Sequence, residues 1–141
     1  MKYAVLLLVL MFVGCGSSTN EGSSTNEGSS TDGGYETFTF AGETMQIAKK
    51  DFSSDMSWDD AVAVCQNLGN GWRLPNKDEL GAMYNQLHTE GKGNFRTDDW
   101  YWSSSESNAL NAWSFSFENG EANYSNGKNN TNHVRAVRTL P

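Results

Sequence analysis

Few side chains in this sequence could do covalent or acid–base chemistry. There are two histidines, His88 and His133, and two cysteines, Cys15 and Cys65. Both histidines lie in polar stretches. No nucleophilic serine motif, zinc-ligand spacing or phosphate-cradling glycine loop surrounds them. Asp59-Asp60 and Asp98-Asp99 are paired acids, but neighbours in sequence usually cap helices or face water rather than share a proton. Cys65 follows Ala61 and Val64 at helical spacing, which predicts a buried core thiol. An enzyme is therefore not expected, and neither is a cofactor. Glu106, Asn108, Asn111 and Glu118 are hard oxygen donors in one loop region and are the only candidates for calcium. A hydrated acidic loop explains them more simply, so no metal is expected. The notable chemistry is amide chemistry: eight asparagines fall between Asn108 and Asn132, interleaved with Ser114, Ser116, Tyr124 and Ser125. That mixture suits adaptable hydrogen bonding to a ligand, although turns also favour Asn.

The elements that must position these residues can be read in order. Residues 35–40 alternate with period two and predict a strand, paired through a turn at 41–43 with a second strand over 44–48. Ser57 is an N-cap with Asp60 three residues on. Ala61, Val64, Cys65 and Leu68 form the apolar stripe of the first helix, which Gly69 ends. Asn76 and Glu79 form a capping box for a second helix with Leu80, Met83, Tyr84 and Leu87 inward. Strands are expected over 101–104, 112–118, 121–126 and 133–139, with Asn119-Gly120 as a hairpin turn. In the second of these regions Trp113, Phe115 and Phe117 share one face and serines the other. The class is α+β.

Residues 1–14 stand apart. Lys2 precedes an apolar run of about ten residues, too short for a membrane span of roughly 20. It reads as a secretory signal's apolar region. The small residue before Cys15 resembles a bacterial lipobox, which implies that Cys15 is lipidated and starts the mature chain. The mature chain then has nine bases against 17 acids, a formal charge of −8. Such a balance argues against nucleic acid as a partner. Residues 15–34 carry a GSSTNE-type repeat without apolar side chains and read as a flexible linker between lipid and domain. Residues 35–141 hold all the aromatic residues of the mature chain and form the folded domain.

Five segments of that domain carry a resemblance: SWDDAVAVC (57–65), GWRLPNKDEL (71–80), YWSSSE (101–106), AWSFSFENG (112–120) and HVRAVR (133–138). In this order and spacing they resemble the C-terminal domain family of Lcl-type collagen-like surface proteins, found in bacterial lipoproteins and secreted proteins. The resemblance implies a C-type lectin-like fold, near its formylglycine-generating-enzyme branch. Two helices would pack on a small antiparallel sheet, followed by a long, loop-rich C-terminal half. It implies that Arg73 is buried beside aromatic rings and that Trp72, Trp102, Trp113, Arg135 and Arg138 serve the same framework, with Pro75 fixing the first turn of the second helix. It also implies that the C-terminal stretch is the exposed ligand face, made of Trp100, Tyr101, Asn108, Asn111, Tyr124, Asn126, Asn129 and Asn130.

Two departures limit what is carried over. Many members have a second Cys where this chain has Ala136, so Cys65 should remain reduced, and the redox cysteine pair of the formylglycine branch is missing. No Gly-X-Y repeat precedes the domain, so trimerisation and polyanion binding do not transfer. The lectin calcium loop with Glu-Pro-Asn is also missing, since the two prolines are Pro75 and Pro141. The expected function is a lipid-anchored envelope module, at the outer membrane or cell surface, that binds a glycan or protein. Alternatives are an assembly subunit with a trimerising head, and a lipoprotein whose Asn-rich region is diversified by a retroelement.

Overall fold

A computed structural model describes residues 35–141; the signal segment, Cys15 and the linker lie outside the described residues. The chain opens with a hairpin of β1 (Thr37–Phe40) and β2 (Glu43–Ile47). Phe40 pairs with Glu43, so the loop is two residues, Ala41 and Gly42, both with positive φ (51° and 83°). That is the hairpin geometry whose twist matches the strands.

Helix α1 (Trp58–Asn67) is capped by Ser57, whose Oγ accepts the Asp60 N–H at 3.4 Å. It buries Ala61 and Cys65, whereas Leu68, expected in the stripe, is 45% exposed at the helix end. Helix α2 (Lys77–Gln86) begins with the predicted capping box: Asn76 Oδ1 accepts from Glu79 N, and Glu79 Oε2 accepts from Asn76 N, both at 2.8 Å. Its inner face, with Leu80 and Met83, packs with Leu87, Phe115 and Phe117. Pro75 sits one residue before the cap rather than in the first turn, and its carbonyl accepts the Ser104 N–H at 2.7 Å.

Arg73 corrects an expectation. Its side chain is 40% exposed rather than buried, and the neighbouring Trp72 ring is covered by Arg138 instead. Arg73 grips Glu79 with both arms, Nη2 to Oε1 at 2.6 Å and Nη1 to Oε2 at 2.8 Å. Glu79 is 2% exposed, so one carboxylate closes the helix cap and receives the guanidinium. That hydrogen bond is the first reason the Arg73 charge is held more firmly. Arg73→Ala should cost about 1–3 kcal/mol, since it strips a buried carboxylate of its partner while solvent offsets part of the loss. Urea unfolding measures it, and Arg73→Lys should recover only part because it cannot fork.

The remaining strands are β3 (Trp100–Glu106), β4 (Asn111–Ser116), β5 (Ala122–Gly127) and β6 (Val137–Thr139). They form two antiparallel sheets, ordered β1-β2-β6 and β3-β4-β5, rather than one. Ser114 and Ser116 on β4 are buried as well as Phe115 and Phe117, so the strand is covered on both faces and not half-solvated. A 3₁₀ turn, His88–Glu90, follows α2.

The last predicted strand is the largest departure. Only Val137–Thr139 pairs as a strand, with β2. Residues 133–136 change partners at each step. His133 is bonded to the backbone of Trp100 and Trp102, Val134 accepts from Phe52 N, and Ala136 accepts from Ala48 N. The segment stitches one sheet to the other and cannot continue a single ladder. Val134 and Ala136 lie in the core with Trp102, Leu74, Ala61 and Cys65. Trp102 is fully buried and donates its indole N–H to Met56 O at 2.8 Å.

Candidate functional site

Two loops meet at one end of the β3-β4-β5 sheet. The first, between β3 and β4, is folded by Asn108, whose Oδ1 accepts from Leu110 N (2.9 Å), Asn111 N (2.9 Å) and Asn111 Nδ2 (3.2 Å). An Asx turn of this kind is why Asn suits the position. The second loop follows β5. Lys128 N donates to Leu110 O at 2.9 Å and joins the two loops, and Asn130 N donates to Gly127 O. Asn126 turns inward: it is 9% exposed, donates from Nδ2 to Ser114 Oγ at 3.0 Å, and accepts from Asn130 Nδ2 at 2.9 Å.

Gly127 is the pivot. A Cβ built there would lie 2.9 Å from Asn129 Oδ1, 3.7 Å from Asn130 Nδ2 and 3.8 Å from Asn111 Oδ1. Three side-chain amides thus converge on a spot that only a hydrogen leaves open. Asn111 and Asn129 border a groove of about 720 Å³ whose other walls include Asp59, Leu110 and Lys128. Leu110 is 78% exposed and gives the groove an apolar lip. Lys128 lies 4.3 Å over the Trp58 ring and bonds Glu106 at 2.6 Å, so its charge is already matched. The groove is therefore lined by neutral amides, a carboxylate and aliphatic surface.

Five of the eight predicted ligand-face residues are brought together here: Asn108, Asn111, Asn126, Asn129 and Asn130. Three are not. Tyr101 is 0% exposed, donates its hydroxyl to Asp51 at 2.7 Å and accepts the Arg96 N–H at 2.7 Å. Burial, and then the Asp51 carboxylate, push its phenol well above the usual tyrosine range. It is a core residue. Trp100 stands at the opposite end of β3, about 20 Å from Glu106 at strand spacing, against Asp99 and Glu118. Tyr124 is 64% exposed but faces Trp113, 5.8 Å between ring centroids, on another surface. Trp113, expected in the framework, is only half-buried there, with Lys77 over its ring at 5.4 Å.

The calcium candidates do not converge. Glu118 lies beyond the far end of β4, Glu106 is paired with Lys128, and Asn108 Oδ1 is occupied by its own turn. No group of three or more His, Cys, Asp or Glu side chains among the described residues could hold a metal. The residues missed from sequence are Gly127, Leu110, Trp58 and Lys128. Leu110 was legible as the one large apolar residue in a polar turn; the role of Gly127 depends on contacts across loops.

The histidines are more enclosed than their polar sequence neighbours suggest. His88 packs against Tyr84 and Phe117 at 5.3 and 5.5 Å. His133 is 2% exposed, with Nδ1 2.5 Å from Asp55 and Nε2 3.2 Å from Asp98. Asp98 also takes the Arg96 guanidinium, which is the main reason its carboxyl is held down at about 2. Neither ring has a hydroxyl or thiol among its described hydrogen-bond partners. Cys65 is a buried free thiol, pushed up to about 12 by burial. Alkylation of Cys65 in the native protein at pH 8, followed on its peptide by mass spectrometry, should be as slow as unfolding and become fast in denaturant. Rapid native labelling would contradict this packing.

A family model described as the Lcl C-terminal domain matches residues 23–138. The chain belongs to this family. In this Lcl C-terminal domain, Ala136 and Cys65 share one core cluster, so the position where the resemblance implied a second Cys lies in the same packing group. Botrocetin, a C-type lectin-like protein, is among the similar solved structures, at 13% identity and a TM-score of 0.49. The match covers 74% of this chain and 96% of botrocetin, an overlap too loose for any residue to be carried across. No curated protein matches the chain.

Proposed function

We propose that this Lcl C-terminal domain is a non-catalytic binding module that recognises a glycan or protein ligand through the amide-lined groove around Gly127. Membership of the family supports a bacterial surface role, and the apolar run before Cys15 supports lipid anchoring at the cell envelope. The observation that carries the reading is the convergence of Asn111, Asn129 and Asn130 on Gly127, beside exposed Leu110. A recognition surface needs unspent donors and acceptors next to apolar contact area. Asn111 Oδ1 and the Asn129 amide have no intramolecular hydrogen bond among the described residues, while Asn108 and Asn126 are committed to holding the loops.

Alanine at Asn111, Asn129 and Asn130 together should therefore lower ligand capture at least about tenfold. The same variant should unfold within about 2 kcal/mol of the parent, because the one bond to a buried group that it loses is Asn130 Nδ2 to Asn126 Oδ1. Surface plasmon resonance against the captured ligand and a urea melt measure the two quantities. Equal capture by the variant would refute the site.

A further inference from the structure

A second groove, of about 630 Å³, lies beside the first described residue, Tyr35. It gathers positive charge that the rest of this acidic domain does not offer. Among the described residues, Arg73, Lys77, Arg96, Lys128 and Arg135 each form an ion pair with a carboxylate. Of the four remaining cations, Lys49, Lys50 and Arg138 all line this groove. Like charges so close repel unless an anion answers them. Asp51 is the acid in the lining, and its oxygens are taken by Arg135 Nε (2.5 Å) and the Tyr101 hydroxyl (2.7 Å).

Two of the three cations are also held in place. Lys49 sits 4.8 Å over the Tyr35 ring and Arg138 sits 4.8 Å over the Trp72 ring, and those two rings are 5.7 Å apart. Arg138 is further oriented by Gln46 Oε1 at 2.7 Å. Cation–π contact fixes such groups without neutralising them. Leu68, 45% exposed on the same wall, adds apolar surface.

We propose that this groove binds a small soluble amphipathic anion, its carboxylate, sulfonate or phosphate between Lys49, Lys50 and Arg138 and its apolar part against Trp72 and Leu68. The volume is that of a small-molecule site. A polyanion or an anionic bilayer would also meet the rest of a chain whose formal net charge is −7, and repulsion there disfavours both.

The test titrates the full chain with 8-anilinonaphthalene-1-sulfonate, followed by its fluorescence, beside the uncharged N-phenyl-1-naphthylamine. Saturable binding of the sulfonate is expected, with the neutral probe at least about tenfold weaker. Lys49→Gln with Lys50→Gln should weaken the sulfonate at least about tenfold at an unchanged melting temperature, since neither lysine has a described salt bridge. The Asn111, Asn129 and Asn130 variant should bind it as the parent does, which separates this groove from the first. Equal affinity for both probes, or a lysine variant within about twofold of the parent, would overturn the proposal. Displacement of the probe by phosphatidylglycerol vesicles would overturn the soluble-ligand assignment.

Discussion

Arg135→Ala is expected to cost about 3–5 kcal/mol, the largest loss from any single charged residue of the domain. Its side chain is 1% exposed. Nε donates to Asp51 Oδ1 at 2.5 Å, Nη1 to Gly93 O at 2.8 Å and Ala48 O at 3.2 Å, and Nη2 to Asn94 O at 3.2 Å. The guanidinium also lies 4.8 Å over the Phe95 ring. One side chain thus ties the end of β2, the 93–95 loop and the stitching segment together. Removing it leaves a largely buried carboxylate and three carbonyls without their donor. Arg135→Lys should keep more than half of the loss, because an ammonium cannot span that fan of acceptors. Urea unfolding followed by tryptophan fluorescence measures both. A cost below about 1 kcal/mol for the alanine variant would contradict the arrangement.

Trp102→Ala should be comparably severe. Trp102 is 0% exposed in the cluster with Leu74, Ala112 and Val134, and its indole N–H serves the Met56 carbonyl at 2.8 Å. The truncation removes a large aromatic volume, worth about 3–5 kcal/mol, and orphans that carbonyl. Trp102→Phe separates the two effects. It restores most of the packing but not the hydrogen bond, so it should cost about 1–3 kcal/mol. Denaturant melts of both variants provide the check. If phenylalanine proved as damaging as alanine, the hydrogen-bond share of this account would be wrong.

How much of this was legible in the sequence follows from how far each cause reaches along the chain. The caps at Ser57 and Asn76–Glu79 are made by side chains three residues apart, and both form as read. The hairpin at Ala41-Gly42 is equally local. Arg73 shows where such reading stops. Glu79 is recognisable as a capping residue and Arg73 as a framework residue, yet only the fold shows that one carboxylate serves both the cap and the guanidinium. Residues 133–136 look like a strand because their alternation is real, but their backbone partners lie on three different segments. The asparagines are the hardest case. Asn126 faces inward and Asn129 outward, and no property of the residue type distinguishes them. Tyr101 belongs to the ligand face that the resemblance implies; its hydroxyl instead finds Asp51, fifty positions away.

The central claim is that the amide groove around Gly127 binds its ligand without a metal. The most direct measurement is a broad glycan array probed with the full chain, first in calcium and then in chelator. The account predicts binding to a defined glycan at the same strength in both conditions, lost in the Asn111, Asn129 and Asn130 variant. Loss of the signal in chelator, or the same signal from the variant, would contradict it.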